Sequence, residues 1–288
     1  MKYINFSKNK QSSFLRLIKK KTNYSWKQLA YFLKVNRSMI YFYLNEHSRL
    51  PYNHYIKLCE LAKIRIKDNI KLIDIKNKEE KIKIPKLSNK FAEFIGSLAG
   101  DGHLNKITYE VSITVDKYLD KNYSNHIISL FDELFNIKAR KYIQKNKVKC
   151  FVYSKKLVEL LSNKYNIPVG KKKGKLHIHK EIKQNKNLLK AYIRGIFDTD
   201  GSFHRHHKKD AMLGIISKDY VFIKELKNAL NKLNFNASLS NKNLYIYRKE
   251  EIDRFFKEIK PSNMKHVSKY IYYKKDGEVP LTKELLNR

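Results

Sequence analysis

A short run of residues occurs twice in this chain. Phe94-Ile95-Gly96-Ser97-Leu98-Ala99-Gly100-Asp101-Gly102 is matched by Ile193-Arg194-Gly195-Ile196-Phe197-Asp198-Thr199-Asp200-Gly201, with the shared Asp-Gly pairs 99 residues apart (200 − 101). The segments beyond each run recur as well. There is a strand-like stretch, a helical segment (His126 to Phe135; Val221 to Leu233), a hairpin, and a second helical segment (Leu157 to Leu161; Ile252 to Phe256). Phe151-Val152-Tyr153-Ser154-Lys155 aligns with Tyr245-Ile246-Tyr247-Arg248-Lys249, and Ile167-Pro168 with Lys260-Pro261. A recurrence of this kind means two copies of one supersecondary unit, each needing a neighbour to bury its apolar face. It predicts an α+β body with one copy over 88–186 and the other over 187–270, and a tail over 271–288.

Periodicity sets the faces. Ile107, Tyr109, Val111, Ile113 and Val115 alternate with Thr108, Glu110, Ser112 and Thr114, the period of a sheet with one buried face. Val148, Cys150 and Val152 alternate with Lys149, Phe151 and Tyr153 in the same way, and a hairpin from Ala237 to Tyr247, turning at Asn241-Lys242-Asn243, serves the second copy. Each motif ends a helix. Phe91, Phe94, Ile95 and Leu98, then Leu189, Tyr192, Ile193 and Ile196, form the apolar faces that Gly102 and Gly201 terminate. Gly96 and Gly100, and likewise Gly195 and Thr199, stand four apart, so each helix has a stripe of small residues that lets another backbone come close. If the two helices pack along those stripes, Asp101 and Asp200 arrive side by side. Each then sits at the negative end of a helix dipole, at a cost of about 0.3–1 kcal/mol, and the two repel. A divalent cation between them removes both objections, and oxygen ligands of this kind suit Mg²⁺, with Mn²⁺ able to substitute.

At these residues the pair resembles the two motifs of a single-chain LAGLIDADG (DOD-type) homing endonuclease. Pro168-Val169-Gly170-Lys171-Lys172 and Tyr192 to Phe203 are also similar to blocks of that family. The resemblance implies a duplicated αββαββα fold with pseudo-twofold symmetry, a saddle of two sheets over double-stranded DNA, and the motif helices at the central interface. It makes Asp101 and Asp200 the metal ligands, acting in hydrolysis of one phosphodiester per strand. A lysine near each scissile phosphate offsets developing charge; the candidates are Lys171, Lys172 and Lys265, then Lys155 and Lys249. Gln144 is a weaker candidate for placing water. Lys149, Lys155, Lys249 and Arg205 are candidate DNA contacts, and sequence readout falls to the polar strand faces. The chain departs from the family word at Ala99, where an acidic residue is usual and Asp198 keeps it, and at Arg194, where a small residue is usual. The cluster His204-Arg205-His206-His207-Lys208-Lys209 lacks a closed zinc pattern.

Ahead of the repeats the pattern is helical from Phe14 to Ala62. Trp26 to Ala30, capped by Ser25, then Val35, then Arg37 to Ile40 resemble a repressor-type helix-turn-helix, with the small Ala30 at the helix crossing. That geometry turns Asn36, Arg37, Ser38 and Tyr41 toward DNA, and Arg49 toward a phosphate. The expected division is an all-α helix-turn-helix domain over 1–66 and a polar linker over 67–87 containing an amphipathic piece at Ile70 to Ile75. A tethered second module raises affinity through effective concentration.

Charge agrees with such a partner. Sixty-two Lys and Arg against 27 Asp and Glu leave a formal +35 over 288 residues, which calls for a polyanion. With 42% hydrophobic residues, 9 Gly and 5 Pro, the chain is neither disordered nor fibrous. No apolar run spans a bilayer and the first residues lack a signal core, so the expectation is a cytoplasmic monomer without membrane contact. Cys59 and Cys150 form no disulfide or zinc pattern and are expected in the core. Inteins carry a related domain, but Met1 and Leu285 to Arg288 lack the splicing residues, so a free-standing protein is expected. Two alternatives stand beside the endonuclease: a transcription regulator derived from such a fold, and an RNA-binding intron maturase.

Overall fold

Alternation with a period of two turns into paired strands, and the apolar stripes turn into helices laid over them. The computed structural model describes residues 2–66, 71–74, 82–207 and 210–286, which fall into two units dividing between Glu80 and Lys81.

The N-terminal unit holds α1 (Lys10–Thr22), α2 (Trp26–Phe32), α3 (Arg37–Leu44) and α4 (Tyr52–Leu61). Ser25 caps α2 by a reciprocal pair of bonds. Its hydroxyl accepts from the Gln28 amide at 3.2 Å, and the Gln28 side chain accepts from the Ser25 amide at 2.8 Å. Leu15, Ile18, Leu29, Ala30, Leu33, Ile40 and Leu58 close the core, while buried Gln11 holds the Tyr43 and Ser48 carbonyls and the Leu50 amide. The unit is not all-α. Strand β1 (Lys2–Ile4) pairs antiparallel with β2 (Leu72–Asp74), because buried Ile4 anchors the first strand and so offers an edge for residues expected in a linker. Ile70 and Ile75, the ends of the expected amphipathic piece, lie outside the described residues, as do 76–81.

In the second unit one order of elements occurs twice. First come α5 (Asn89–Asp101), β3 (Gly102–Asn105), β4 (Glu110–Asp116), α6 (Lys121–Phe135), β5 (Arg140–Gln144), β6 (Lys147–Tyr153) and α7 (Lys155–Glu159), continued by a π-helical turn over Leu160–Lys164. After α8 (Lys180–Gln184) come α9 (Lys186–Asp200), β7 (Gly201–Arg205), β8 (Ala211–Ile216), α10 (Tyr220–Lys232), β9 (Ser238–Ser240), β10 (Asn243–Ile246) and α11 (Lys249–Glu258), then α12 (Met264–Asp276) and α13 (Thr282–Leu286). The antiparallel sheets have matching orders, β3-β4-β6-β5 and β7-β8-β10-β9. In the first, Val111, Ile113 and Val115 face the core beside Val152, Cys150 and Val148 in direct register. Phe94 and Phe131, stacked edge to face at 4.9 Å, belong to the helical side of that core.

Two expectations change. The alternation from Ile107 is not strand throughout: residues 106–109 turn β3 into β4, and Ile107 is 90% exposed. The cause is local, since the Asn105 side chain accepts from the Ile107 and Thr108 amides at 2.8 and 3.1 Å and Tyr109 takes φ 55°. Of the expected tail over 271–288, residues 271–286 are part of this unit, because Tyr273 and Val279 are buried in its core and Lys269 ties Phe203 to Thr282.

Candidate active site

Helices α5 and α9 meet where the sequence has no side chains. A Cβ on Gly96 would overlap the Tyr192 carbonyl oxygen, and one on Gly195 would overlap the Glu93 carbonyl oxygen and come within 2.6 Å of the Ser97 amide. Gly100 faces the Thr199 hydroxyl and lies beside Asp200, so the two helices end together. Gly102 and Gly201 come next with extended backbone (φ −83° and −84°), not the left-handed turn that ends many helices. Glycine is required there because a Cβ would collide with Leu98 and with Phe197 respectively.

This packing delivers Asp101 and Asp200 to one place. Burial against protein pushes the Asp101 carboxyl up to about 6, with Asp120 adding to the rise and Lys172, Lys265 and Lys147 opposing it. Asp101 is exposed to solvent even so, with the charges of Asp120, Lys172, Lys265 and Lys147 acting on its carboxyl. Asp200 is pushed up to about 7, first by burial and then by the Asp101 charge, against Lys172. Two hard oxygen donors that hold protons too strongly for their type are stabilised by a cation. Among the described residues no third His, Cys, Asp or Glu joins them. That donor set fits Mg²⁺, which is commonly held by one or two carboxylates while water and phosphate oxygens complete its shell.

Of the candidate lysines, Lys172 and Lys265 reach this place. Lys172 donates to the carbonyls of Leu98 at 3.1 Å, Ala99 at 3.0 Å and Gly100, capping the end of α5, and burial lowers its pKa against the pull of Asp200 and Asp101. Lys265 pairs with Asp120 at 2.9 Å. Lys171 is exposed. Lys155 and Lys249 begin α7 and α11 on the surface, Lys155 beside Glu159 at 3.8 Å. Gln144 ends β5 in an exposed hairpin. Lys149 is bound by both Glu110 oxygens at 3.0 Å, so its charge is partly spent. Arg205 is also committed: it donates to the Val279 carbonyl at 3.2 and 3.3 Å and pairs with Glu278, which makes it a strap for the C-terminal segment. His206 and His207 lie ring to ring at 4.1 Å, and Lys208 and Lys209 lie outside the described residues.

In the N-terminal unit Asn36, Arg37 and Ser38 are exposed at the start of α3, and Arg49 is exposed beyond its end. Tyr41 is half-buried under the Arg37 guanidinium, 5.8 Å from its ring.

Asp120, Asn263 and Glu93, none of them picked out by sequence, organise the site together with Asp198. Asp198, fully buried and pushed up to about 7 by that burial, accepts from the Ser262 amide at 2.8 Å and the Asn263 amide at 3.1 Å. Asn263 in turn donates to Asp120 at 2.8 Å and to the Asp198 carbonyl at 2.9 Å. Glu93, 2% exposed, receives His126 at 2.6 Å, Arg194 at 3.0 Å and the Ser262 hydroxyl at 2.9 Å. Burial alone would raise Glu93, but His126 and Arg194 outweigh it and hold it below the usual range. One signal existed: Asp120 and Asp219 each stand 19 residues beyond their motif Asp (120 − 101; 219 − 200).

The sequence model of the family described as LAGLIDADG-like domain matches residues 187–260, which cover the second set of repeated elements. A replication factor C small subunit from Methanocaldococcus jannaschii is 31% identical over 157 residues, 54% of this chain but 8% of that protein's length. Among solved structures, a mesophilic variant of the homing endonuclease I-DmoI gives a TM-score of 0.44 at 20% identity, over 60% of this chain and 96% of that one. I-DmoI in complex with DNA and Mn gives 0.44 at 21%, over 60% and 97%. The N-terminal LAGLIDADG domain of DUF199/WhiA gives 0.43 at 18%, over 63% and 89%. At these scores structural likeness identifies neither activity nor partner, and the similarity to the family model is confined to the second half of the C-terminal unit.

Proposed function

We propose that this protein is a site-specific, divalent-metal-dependent endonuclease acting on double-stranded DNA, built on a duplicated LAGLIDADG unit. The observation that carries the reading is the junction of α5 and α9, where two carboxylates from equivalent motif positions meet beside two lysines that follow equivalent prolines. Asp101 and Asp200 would hold Mg²⁺, with Mn²⁺ an alternative. A metal bound there neutralises phosphate charge and lowers the pKa of its water. Lys172 and Lys265, each four residues past a proline (Pro168, Pro261), place positive charge on either side of the carboxylates, where a scissile phosphate gains charge in the transition state. The close helix contact keeps the two carboxylates in fixed relation and excludes water from between the helices. Exposed Arg140, Tyr142, Tyr153 and Tyr247 give the sheets a basic and aromatic face suited to a duplex. The N-terminal helices α2 and α3 would add a second, tethered DNA contact through Asn36, Arg37 and Ser38.

The test is incubation with a plasmid library of genomic fragments in Mg²⁺. The expected result is double-strand cutting at a defined site, lost in Asp101→Asn and in Asp200→Asn while binding persists. Tight binding without cutting in Mg²⁺ or Mn²⁺ supports the regulator, and preference for a structured intron RNA supports the maturase.

A further inference from the structure

The two lysines at the site are equivalent in sequence but are held differently. Each half of the C-terminal unit has an aspartate at the start of the helix after its first hairpin, Asp120 before α6 and Asp219 before α10. Each aspartate reaches the post-proline loop of the other half. Asp219 accepts the Gly174 amide at 2.6 Å, and among the described residues it forms no ion pair with a lysine of that loop. Asp120 binds the Asn263 side chain at 2.8 Å and the Lys265 ammonium at 2.9 Å.

The difference traces to two positions in the repeat, since Ala99 stands opposite Asp198 and Gly170, which has no side chain to orient an aspartate, stands opposite Asn263. Asp198 clamps the loop of its own half through the Ser262 and Asn263 amides, and so fixes Asn263 where it can present Asp120 to Lys265. Ala99 stands at the matching position of the first motif and can clamp nothing. Beside it lies a cavity of about 420 Å³ lined by Ala99, Gly100, Lys172, Asp200, Lys218 and Asp219, and the loop is tied to its own half through the Gly170 amide, which donates to the Leu104 carbonyl at 2.9 Å. Lys172 falls back onto the carbonyls of α5.

We infer that Asp120 and Asn263 are positioning residues for Lys265, a device present in one half of the site and absent from the other. Asp198 sets Asn263, Asn263 orients the Asp120 carboxylate, and Asp120 holds the Lys265 ammonium where its charge reaches Asp101. The inference rests on the endonuclease reading, and it makes the two strands of a duplex depend on different residues.

The experiment measures cleavage of each strand separately, using end-labelled duplex carrying the site selected from the plasmid library, with the full-length protein in Mg²⁺. Lys265→Met identifies the strand that this lysine serves. Asp120→Asn, which keeps the shape of the side chain, and Asn263→Ala are each expected to slow that same strand about tenfold or more, since a misplacement of about 1 Å can cost as much as about a hundredfold. The other strand should change by less than about twofold, and target affinity should hold. Added to Lys265→Met, Asp120→Asn should slow the strand no further, which a general loss of structure would not reproduce. Equal slowing of both strands, a change confined to affinity, or additivity with Lys265→Met overturns the inference while leaving the endonuclease reading intact. A wild-type protein that cuts no duplex in Mg²⁺ or Mn²⁺ refutes that reading, and the positioning role with it.

Discussion

Replacing Gly195 by alanine is the sharpest probe of the helix junction, because helix propensity and packing predict opposite signs. In an isolated helix the change stabilises by about 1 kcal/mol. Here the new Cβ would stand 2.6 Å from the Ser97 amide, where ordinary contact begins at 3.4 Å, and would overlap the Glu93 carbonyl outright. Both obstacles are backbone, so no side chain can turn aside. The helices must separate by at least 0.8 Å (3.4 − 2.6) along this line. A gap of that size forfeits roughly a quarter to a half of the dispersion attraction of the atoms along the contact, and overpacking of this kind costs about 1–3 kcal/mol or more. Taking about 3 kcal/mol for the overlap and about 1 for lost contact, less 1 for propensity, leaves a net destabilisation of about 3 kcal/mol. For a unit of this size that lowers Tm by roughly 6–12 °C. The assay is a calorimetric scan beside Gly214→Ala, whose Cβ would meet the Ser202 hydroxyl at 2.9 Å, the free end of a side chain that can rotate. The control should stay within about 1 kcal/mol of wild type. A Gly195→Ala protein that melts at or above the wild-type temperature refutes the close junction, and with it the convergence of Asp101 and Asp200.

The carboxylates give a second stability prediction. Asp200 binds its proton more tightly folded than unfolded, so its contribution is present below pH 4 and is lost as pH rises through about 7. Holding it ionised at pH 8 costs about 4 kcal/mol at face value and about 2 after screening by the solvent that reaches it. In EDTA at pH 8, Asp200→Asn should therefore melt above wild type, and a lower Tm would show the carboxylate to be a stabilising contact. The Glu93–His126 pair has the opposite character, since Glu93 is lowered and His126 raised by one another. Its stability is present above about pH 4.5 and is lost on two sides, as pH falls through the folded Glu93 value and as it rises through the folded His126 value. His126→Ala should cost most near pH 5.5, by urea midpoint, and a pH-independent loss would rule the ion pair out. Binding of the cleaved duplex should weaken steeply with salt, with log K falling by about 0.9 per phosphate contact against log salt concentration. A slope shallower than about 4 would count against a duplex lying along both sheets.

How much was legible beforehand varies with the range of the interaction. The strand faces of β4 and β6, the cap at Ser25 and the small residues at Gly96 and Gly195 are local or periodic features, and each is visible in a short window. The Asn105 turn was local too, but the apolar Ile107 and Tyr109 continued the alternation and masked it. Arg205 and Lys149 looked like free bases because their partners, Val279 with Glu278 and Glu110, lie 74, 73 and 39 residues away.

The sequence by itself determined that two like units exist, that each ends a small-residue helix in Asp-Gly, and that a large excess of base surrounds two particular acids. These come from repetition, period and composition, which the chain carries in linear order. Only the tertiary structure decided that the halves are unequal. The clamp from Asp198 through Asn263 and Asp120 to Lys265 joins residues up to 145 positions apart (265 − 120). Its absence in the other half reflects Ala99 and Gly170, whose meaning appears only against the partners they fail to hold. Buried polar groups are placed by whichever partner satisfies them, and partners that distant meet only after the helices have packed.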